Sequence, residues 1–230
     1  MSVQPHTTQA AFLDAGQVLR GPLPDEISME PIIEGVPFAY EKKLFDGAEG
    51  LYAVWACGPG VFPRVKDKRG SFMYFLSGDA TMVDQDGTSH ELTAGSVLVL
   101  PFGYAGTWHI RETIRKVYLH TTPVPPLPAG VVPSAFAPAS QVRADTVVFD
   151  GPDGRCDVNS REPGRYPWDP QEHGFFFYVL AGDGVLTGAD GTVHELTPGC
   201  AVALPSGWSG TEDVRTTLRA FCVRSTPAPA

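Results

Sequence analysis

Long apolar runs, paired cysteines, helical periodicity and a surplus of positive charge are all missing from this 230-residue chain. No apolar stretch approaches the roughly 20 residues that cross a bilayer, so no membrane partner is expected. Cys57, Cys156, Cys200 and Cys222 form no CxxC pair, which argues against a zinc or disulfide framework and for reduced thiols. The opening MSVQPHTTQA lacks the charged-then-apolar layout of a secretory signal, and a cytoplasmic location is expected. Seventeen basic residues against 26 acidic ones give a formal charge of −9, so no nucleic-acid partner is expected either. Charged residues are only 19% of the chain and hydrophobic ones 43%, the balance of a compact domain and not of a disordered segment. No Gly-rich phosphate loop, Ser-His-Asp or Cys-His spacing stands out.

What is present is a repeat. Residues 58–123 align with 162–227 at a constant offset of 104, with 27 identities in 66 positions. FxYxLxGD (72–79 and 176–183), DGTxHELTxG (86–95 and 190–199) and LPxGxxGT (100–107 and 204–211) anchor it, so the halves share one fold. The 25 glycines and 22 prolines punctuate short β-branched and aromatic runs. Asp86-Gly87 and Asp190-Gly191 are hairpin dipeptides, and spacings near ten residues predict a small barrel or double-sheet jelly roll. The expected organisation is a first unit over 1–122, a proline-rich linker over 123–140 and a second unit over 141–230. FLDAGQV (12–18) loosely echoes FAPASQV (136–142), and the first unit carries an extra segment, about 19–38, expected as a lid, edge strand or dimer arm.

The first repeat resembles the cupin superfamily, in particular the single-domain cupins related to ureidoglycine aminohydrolase and the ethanolamine-utilisation cupin. The resemblance rests on Trp55-Ala-Cys57 before Pro59-Gly60 and Phe62, Leu76-Ser77-Gly78, Pro101-x-Gly103-x-x-Gly106-Thr107-Trp108, and Arg115-Lys116-x-Tyr118. It implies an all-β bicupin, two double-stranded β-helix (jelly-roll) barrels. These would pair as a monomer with two-barrel pseudo-symmetry or within a homodimer. It does not imply one reaction, because this fold hosts many.

Metal-binding cupins share His-x-His, a Glu about five residues on, and a His three residues after P-x-G. In this chain those slots hold Arg64, Lys66, Ser71 and Gly106, and in the second repeat Trp168, Pro170, Phe175 and Gly210. Arg and Lys are cations without a lone pair to offer a metal at neutral pH, so no cofactor is expected. If a divalent metal binds at all, the resemblance to ureidoglycine aminohydrolase points to His173, with Asp169 and Glu212 beside it. Strand alternation aims Arg64, Lys66, Ser71, Met73 and Trp108 inward, with His120 following from the last strand, as a site for a small anionic molecule. Lys116, Tyr118 and Glu212 are the candidate acid–base groups. An architectural reading of RKxY sets its Arg and Lys on the rim. The second interior should be plugged by Trp168, Phe175, Phe177 and Trp208. Three functions follow: a metal-independent hydrolase, lyase or isomerase of a polar metabolite; a binding or regulatory bicupin without chemistry; and a metal-dependent aminohydrolase or dioxygenase near His173.

Overall fold

The computed structural model describes residues 9–121 and 130–225, so the first part of the linker and the terminal TPAPA lie outside the described residues. Eighteen strands dominate. The first half contributes β1 (Ala11–Leu13), β2 (Asp25–Glu26), β3 (Glu34–Gly35), β4 (Ala39–Gly47), β5 (Gly50–Cys57), β6 (Gly60–Val65), β7 (Ser71–Asp84), β8 (Ser89–Leu92), β9 (Val97–Leu100) and β10 (Ala105–Thr121). The second half contributes β11 (Ala135–Ala137), β12 (Thr146–Gly151), β13 (Gly154–Arg161), β14 (Gly164–Trp168), β15 (Phe175–Gly188), β16 (Val193–Leu196), β17 (Ala201–Leu204) and β18 (Gly210–Ser225). A short helix α1 (Ala15–Leu19) opens on a capping box between Asp14 and Gln17. No described helix is long and apolar enough to cross a membrane.

Two antiparallel sheets result, one per repeat, in the jelly-roll arrangement of a duplicated cupin. In each, two long strands run the length of the unit, β7 with β10 and β15 with β18. They bend midway at register shifts, which lets one strand serve both layers. Gly78 sits at the first bend with φ 92°, where a Cβ would lie 2.6 Å from the Ile114 Cα, and Gly182 repeats the arrangement with φ 83°. The Asp-Gly turns form as read: Gly87 and Gly191 take positive φ, and Asp86 and Asp190 accept from the Thr88 and Thr192 amides.

The sheets do not follow the halves at their edges. β1 pairs with β17 of the second unit, and β11 pairs with β9 of the first. The echo between 12–18 and 136–142 marks these two reciprocal edge strands. Arg115 ties the exchange down by donating from β10 to the carbonyls of Val18 (2.7 Å) and Gly21 (2.8 Å) at the end of α1.

Alternation along the strands builds three cores. One face of β5, β7, β9 and β10 packs against the matching face of the second unit through Tyr52, Val54, Phe72 and Val117 on one side and Val158, Phe176, Phe221 and Val223 on the other. The opposite faces point inward and form a separate core in each unit. The extra segment 19–38 is an edge and a cover: β2 pairs with β4, β3 pairs with β6, and Met29 packs into the first interior. All four cysteines are buried and free.

Candidate functional site

The first interior is ordered by cross-strand rows. Residues opposite one another on antiparallel strands share a face, so Glu41, Trp55, Lys116 and Phe75 form one inward row across β4, β5, β10 and β7. The next rows carry Ala53, Tyr118 and Met73, then Leu51, His120 and Ser71. Arg64, at the end of β6, enters from the side opposite Gly106. These rows border a cavity of about 210 Å³, lined by Arg64, Lys116, Tyr118, His120, Glu41 and Trp55, with Ile27 of the extra segment also in its wall. A second recess of about 340 Å³ shares Arg64 and His120 and adds Lys66, Asp67, Lys68 and Arg69.

Sequence alternation therefore brings Arg64, Lys66, Met73, Trp108, Lys116, Tyr118 and His120 into one interior, with Ser71 buried beside them. The architectural reading of RKxY holds for Arg115, which anchors α1, and fails for Lys116, which is buried and not on the rim. The Lys116 ammonium nitrogen lies 3.0 Å from Met73 Sδ, over Trp55 (4.3 Å to the ring centre) and Trp108 (4.9 Å). Lys66 Nζ is 3.2 Å from His120 Nε2. The interior carboxylate, Glu41, accepts from the Tyr118 hydroxyl at 2.5 Å. Glu41 and Trp55 also line the cavity, and sequence reasoning missed both. Trp55 stood in the family motif, and the parity of β5 with β10 would have aimed it inward. Glu41 lies upstream of the aligned block, where nothing fixed its register.

The electrostatics of this interior are unbalanced. Among the described residues no carboxylate pairs with Arg64, Lys66 or Lys116. Burial, then repulsion from Arg64, pulls Lys116 well below the usual lysine value. Burial, then Arg64 and Lys116, does the same to Lys66. His120 is pulled down by burial and by Lys66, Arg64 and Lys116. The two rings over Lys116 offset part of its desolvation. Burial and the neighbouring guanidinium outweigh them, and the amine is held toward its neutral form. Burial and the Glu41 contact push Tyr118 well above a normal phenol, and burial raises Cys57 to about 11.

The second interior holds the same rows with other chemistry. Phe175, Phe177 and Trp208 are buried core, as read, and Trp168, half-buried, packs against them. A cavity of about 450 Å³ remains, lined by Arg161, Tyr166, Trp168, Asp169, His173 and Arg224. Glu212 is buried but not a free acid–base group: it pairs with Arg161 and accepts from the Trp168 indole N–H at 3.1 Å. Arg161 also stacks on the Trp168 ring, 4.7 Å from its centre. Asp157, a second buried acid, faces Arg155 (2.9 Å) and Arg224 (3.7 Å).

Comparison with known proteins agrees with this architecture. The profile of the EutQ-like cupin domain matches residues 48–118 and again 155–220, more than half the chain. The chain belongs to the EutQ-like cupins. None of the curated proteins matches it. Similar solved structures include Ylba from E. coli, at 15% identity and TM-score 0.69, covering 97% of this chain and 93% of that one. AerE from Microcystis aeruginosa follows at 13% and 0.59, covering 89% and 98%. Salicylate 1,2-dioxygenase from Pseudaminobacter salicylatoxidans follows at 11% and 0.65, covering 98% and 86%. At such identities these likenesses speak for the fold alone.

A metal held as in metal-binding cupins does not fit this EutQ-like bicupin. Arg64, Lys66, Ser71 and Gly106 offer no imidazole or carboxylate, and a side chain at Gly106 would collide with the Tyr104 hydroxyl and sit 2.6 Å from the Val83 carbonyl. At Gly210 the obstacle is the Trp208 ring, 2.6 Å away. Among the described residues no three His, Cys, Asp or Glu side chains gather at one point, so Asp169, His173 and Glu212 do not form a ligand set.

Proposed function

We propose that the first unit of this cupin binds a small anionic metabolite and acts on it without a metal ion, by proton transfer and amine chemistry in a water-poor interior. The observation that carries this reading is the unpaired charge around the 210 Å³ cavity: Arg64 and Lys116 line it, Lys66 adjoins it through His120, and the nearby Glu41 is engaged by Tyr118. Buried like charges repel and lose hydration, and an anion that enters relieves both costs. Arg64 offers a planar fork suited to a carboxylate or phosphate. The Tyr118–Glu41 pair supplies a donor and a base within hydrogen-bond reach of each other. The cavity volume suits a molecule of a few carbon atoms.

Calorimetric titration with small mono- and dicarboxylates and inorganic phosphate tests the reading, alongside metal analysis of the purified protein. Saturable binding at one site, lost in the Arg64→Ala, Lys66→Ala double variant, is the expected result. Binding unchanged in that variant, or a stoichiometric transition metal, would overturn it.

A further inference from the structure

An amine buried without a carboxylate partner, beside a guanidinium and at the wall of a small cavity, is a costly arrangement for packing alone. At the matching position the second unit carries Ala220 and keeps an apolar core. In the first unit the Lys116 nitrogen sits in a box of Trp55, Trp108, Phe75 and Met73, and the residue lines the cavity with Arg64 and Tyr118. A box of this kind holds a lysine nitrogen in one place and excludes water from it. Arg64 lines the same cavity and offers a planar fork to a carboxylate, and Tyr118, whose ring centre is 5.9 Å from the Lys116 nitrogen, lines it too.

We propose that Lys116 is a nucleophile that condenses with the carbonyl carbon of a small 2-oxo acid whose carboxylate is held by Arg64. The inference rests on the reading of this unit as an anion site and adds the substrate class. The Nζ lone pair forms a C–N bond to the carbonyl carbon, and the displaced π pair of the C=O takes a proton from Tyr118. The adduct nitrogen returns one proton to the Tyr118 phenolate, Tyr118 passes it on to the carbinolamine hydroxyl, which leaves as water while the nitrogen lone pair closes a C=N bond where the C=O was, and the last N–H proton restores Tyr118. One water is released, no oxidant or reductant is consumed, and Glu41 is placed to take up and return the Tyr118 proton. Burial, with repulsion from Arg64, supplies the free amine that such an attack needs. The groups facing that amine from the packed elements are Arg64, Cys57, Tyr118 and Glu41, with Lys66 and His120 beyond.

The test is borohydride trapping of the full-length protein with pyruvate, glyoxylate and 2-oxobutyrate, read by intact mass and peptide mapping. The expected result is a single reduced adduct on Lys116, absent in Lys116→Met and reduced about tenfold or more in Arg64→Met, as the loss of a charge-assisted hydrogen bond implies. Calorimetric titration with the same oxo acids is followed in parallel as the binding signal. Saturable binding of the oxo acids without a Lys116 adduct overturns the condensation while leaving the anion site standing. Absence of both binding and adduct overturns the two readings together. Equal labelling in wild type and Lys116→Met assigns the adduct to surface lysines and also overturns the proposal.

Discussion

The two interiors occupy one scaffold and solve the same electrostatic problem in opposite ways. In the second unit the buried Arg161 meets Glu212, and Arg224 meets Asp157. In the first, Arg64, Lys66 and Lys116 meet no carboxylate among the described residues. The faces between the units tell a different story: Val54 and Val158, Phe72 and Phe176, and Tyr74 and Tyr178 are identical pairs at the 104-residue offset, all in the shared core. A pseudo-twofold interface sets each residue against a surface made of its own counterparts, so a change on one side must suit the other. Inward positions carry no such constraint, and Arg64/Trp168, Lys116/Ala220, Tyr118/Cys222 and Trp108/Glu212 have all diverged. Where the copies differ most is where the chemistry is expected.

Removing one cation from each interior should break the symmetry of the comparison most clearly. Arg161→Met strands a buried Glu212 and is expected to lower unfolding free energy by about 3–5 kcal/mol, whereas Arg64→Met relieves repulsion and leaves stability unchanged or higher. Denaturant unfolding of the two variants measures both; equal losses would erase the distinction. A bound anion should raise the stability of wild type by about 2.7 kcal/mol at a hundredfold excess over Kd, and leave Arg64→Met unmoved, as thermal unfolding with and without ligand reads out. Lys116→Met, apolar and of similar length, should raise the melting temperature while abolishing adduct formation, the signature of a residue kept for function and not for packing.

The smallest effect per step is with pH. His120, Lys66 and Lys116 bind protons less readily in the folded chain than in the unfolded one. Their contribution to stability is therefore lost as pH falls below the unfolded values of 6.5 for the histidine and 10.5 for the lysines, and regained as pH rises toward them. Each proton adds at most about 1.4 kcal/mol per pH unit. Stability measured from pH 6 to pH 9 should climb in wild type and flatten in the Lys66→Met, Lys116→Met double variant; a flat wild-type profile would refute the assignment.

The duplication, the turns and the inward parity of Arg64, Lys66, Met73 and Trp108 were legible because they depend on local spacing. A strand shows its two faces in its own sequence, and a repeat shows its register. What stayed hidden depends on partners distant along the chain. The Arg161–Glu212 pair joins β13 and the last strand, β18, far apart along the chain, so Glu212 reads from sequence as a lone acid. Glu41 reaches Tyr118 from β4, outside the aligned block, on a strand whose register shifts between Lys43 and Phe45. The echo preceding each repeat was visible, but not that its strand would cross to the other unit, since the destination of a connection is set by the tertiary arrangement.

That crossing has a consequence for how the molecule divides. Cutting the chain at its midpoint would not liberate two self-sufficient pieces: the first fragment keeps β1, an edge meant for its sister, and loses β11, which covers β9. Each fragment would also bare the apolar sheet face around Phe72 or Phe176. Fragments made separately should therefore recombine into a woven pair, and neither unit can be obtained intact by trimming away the other.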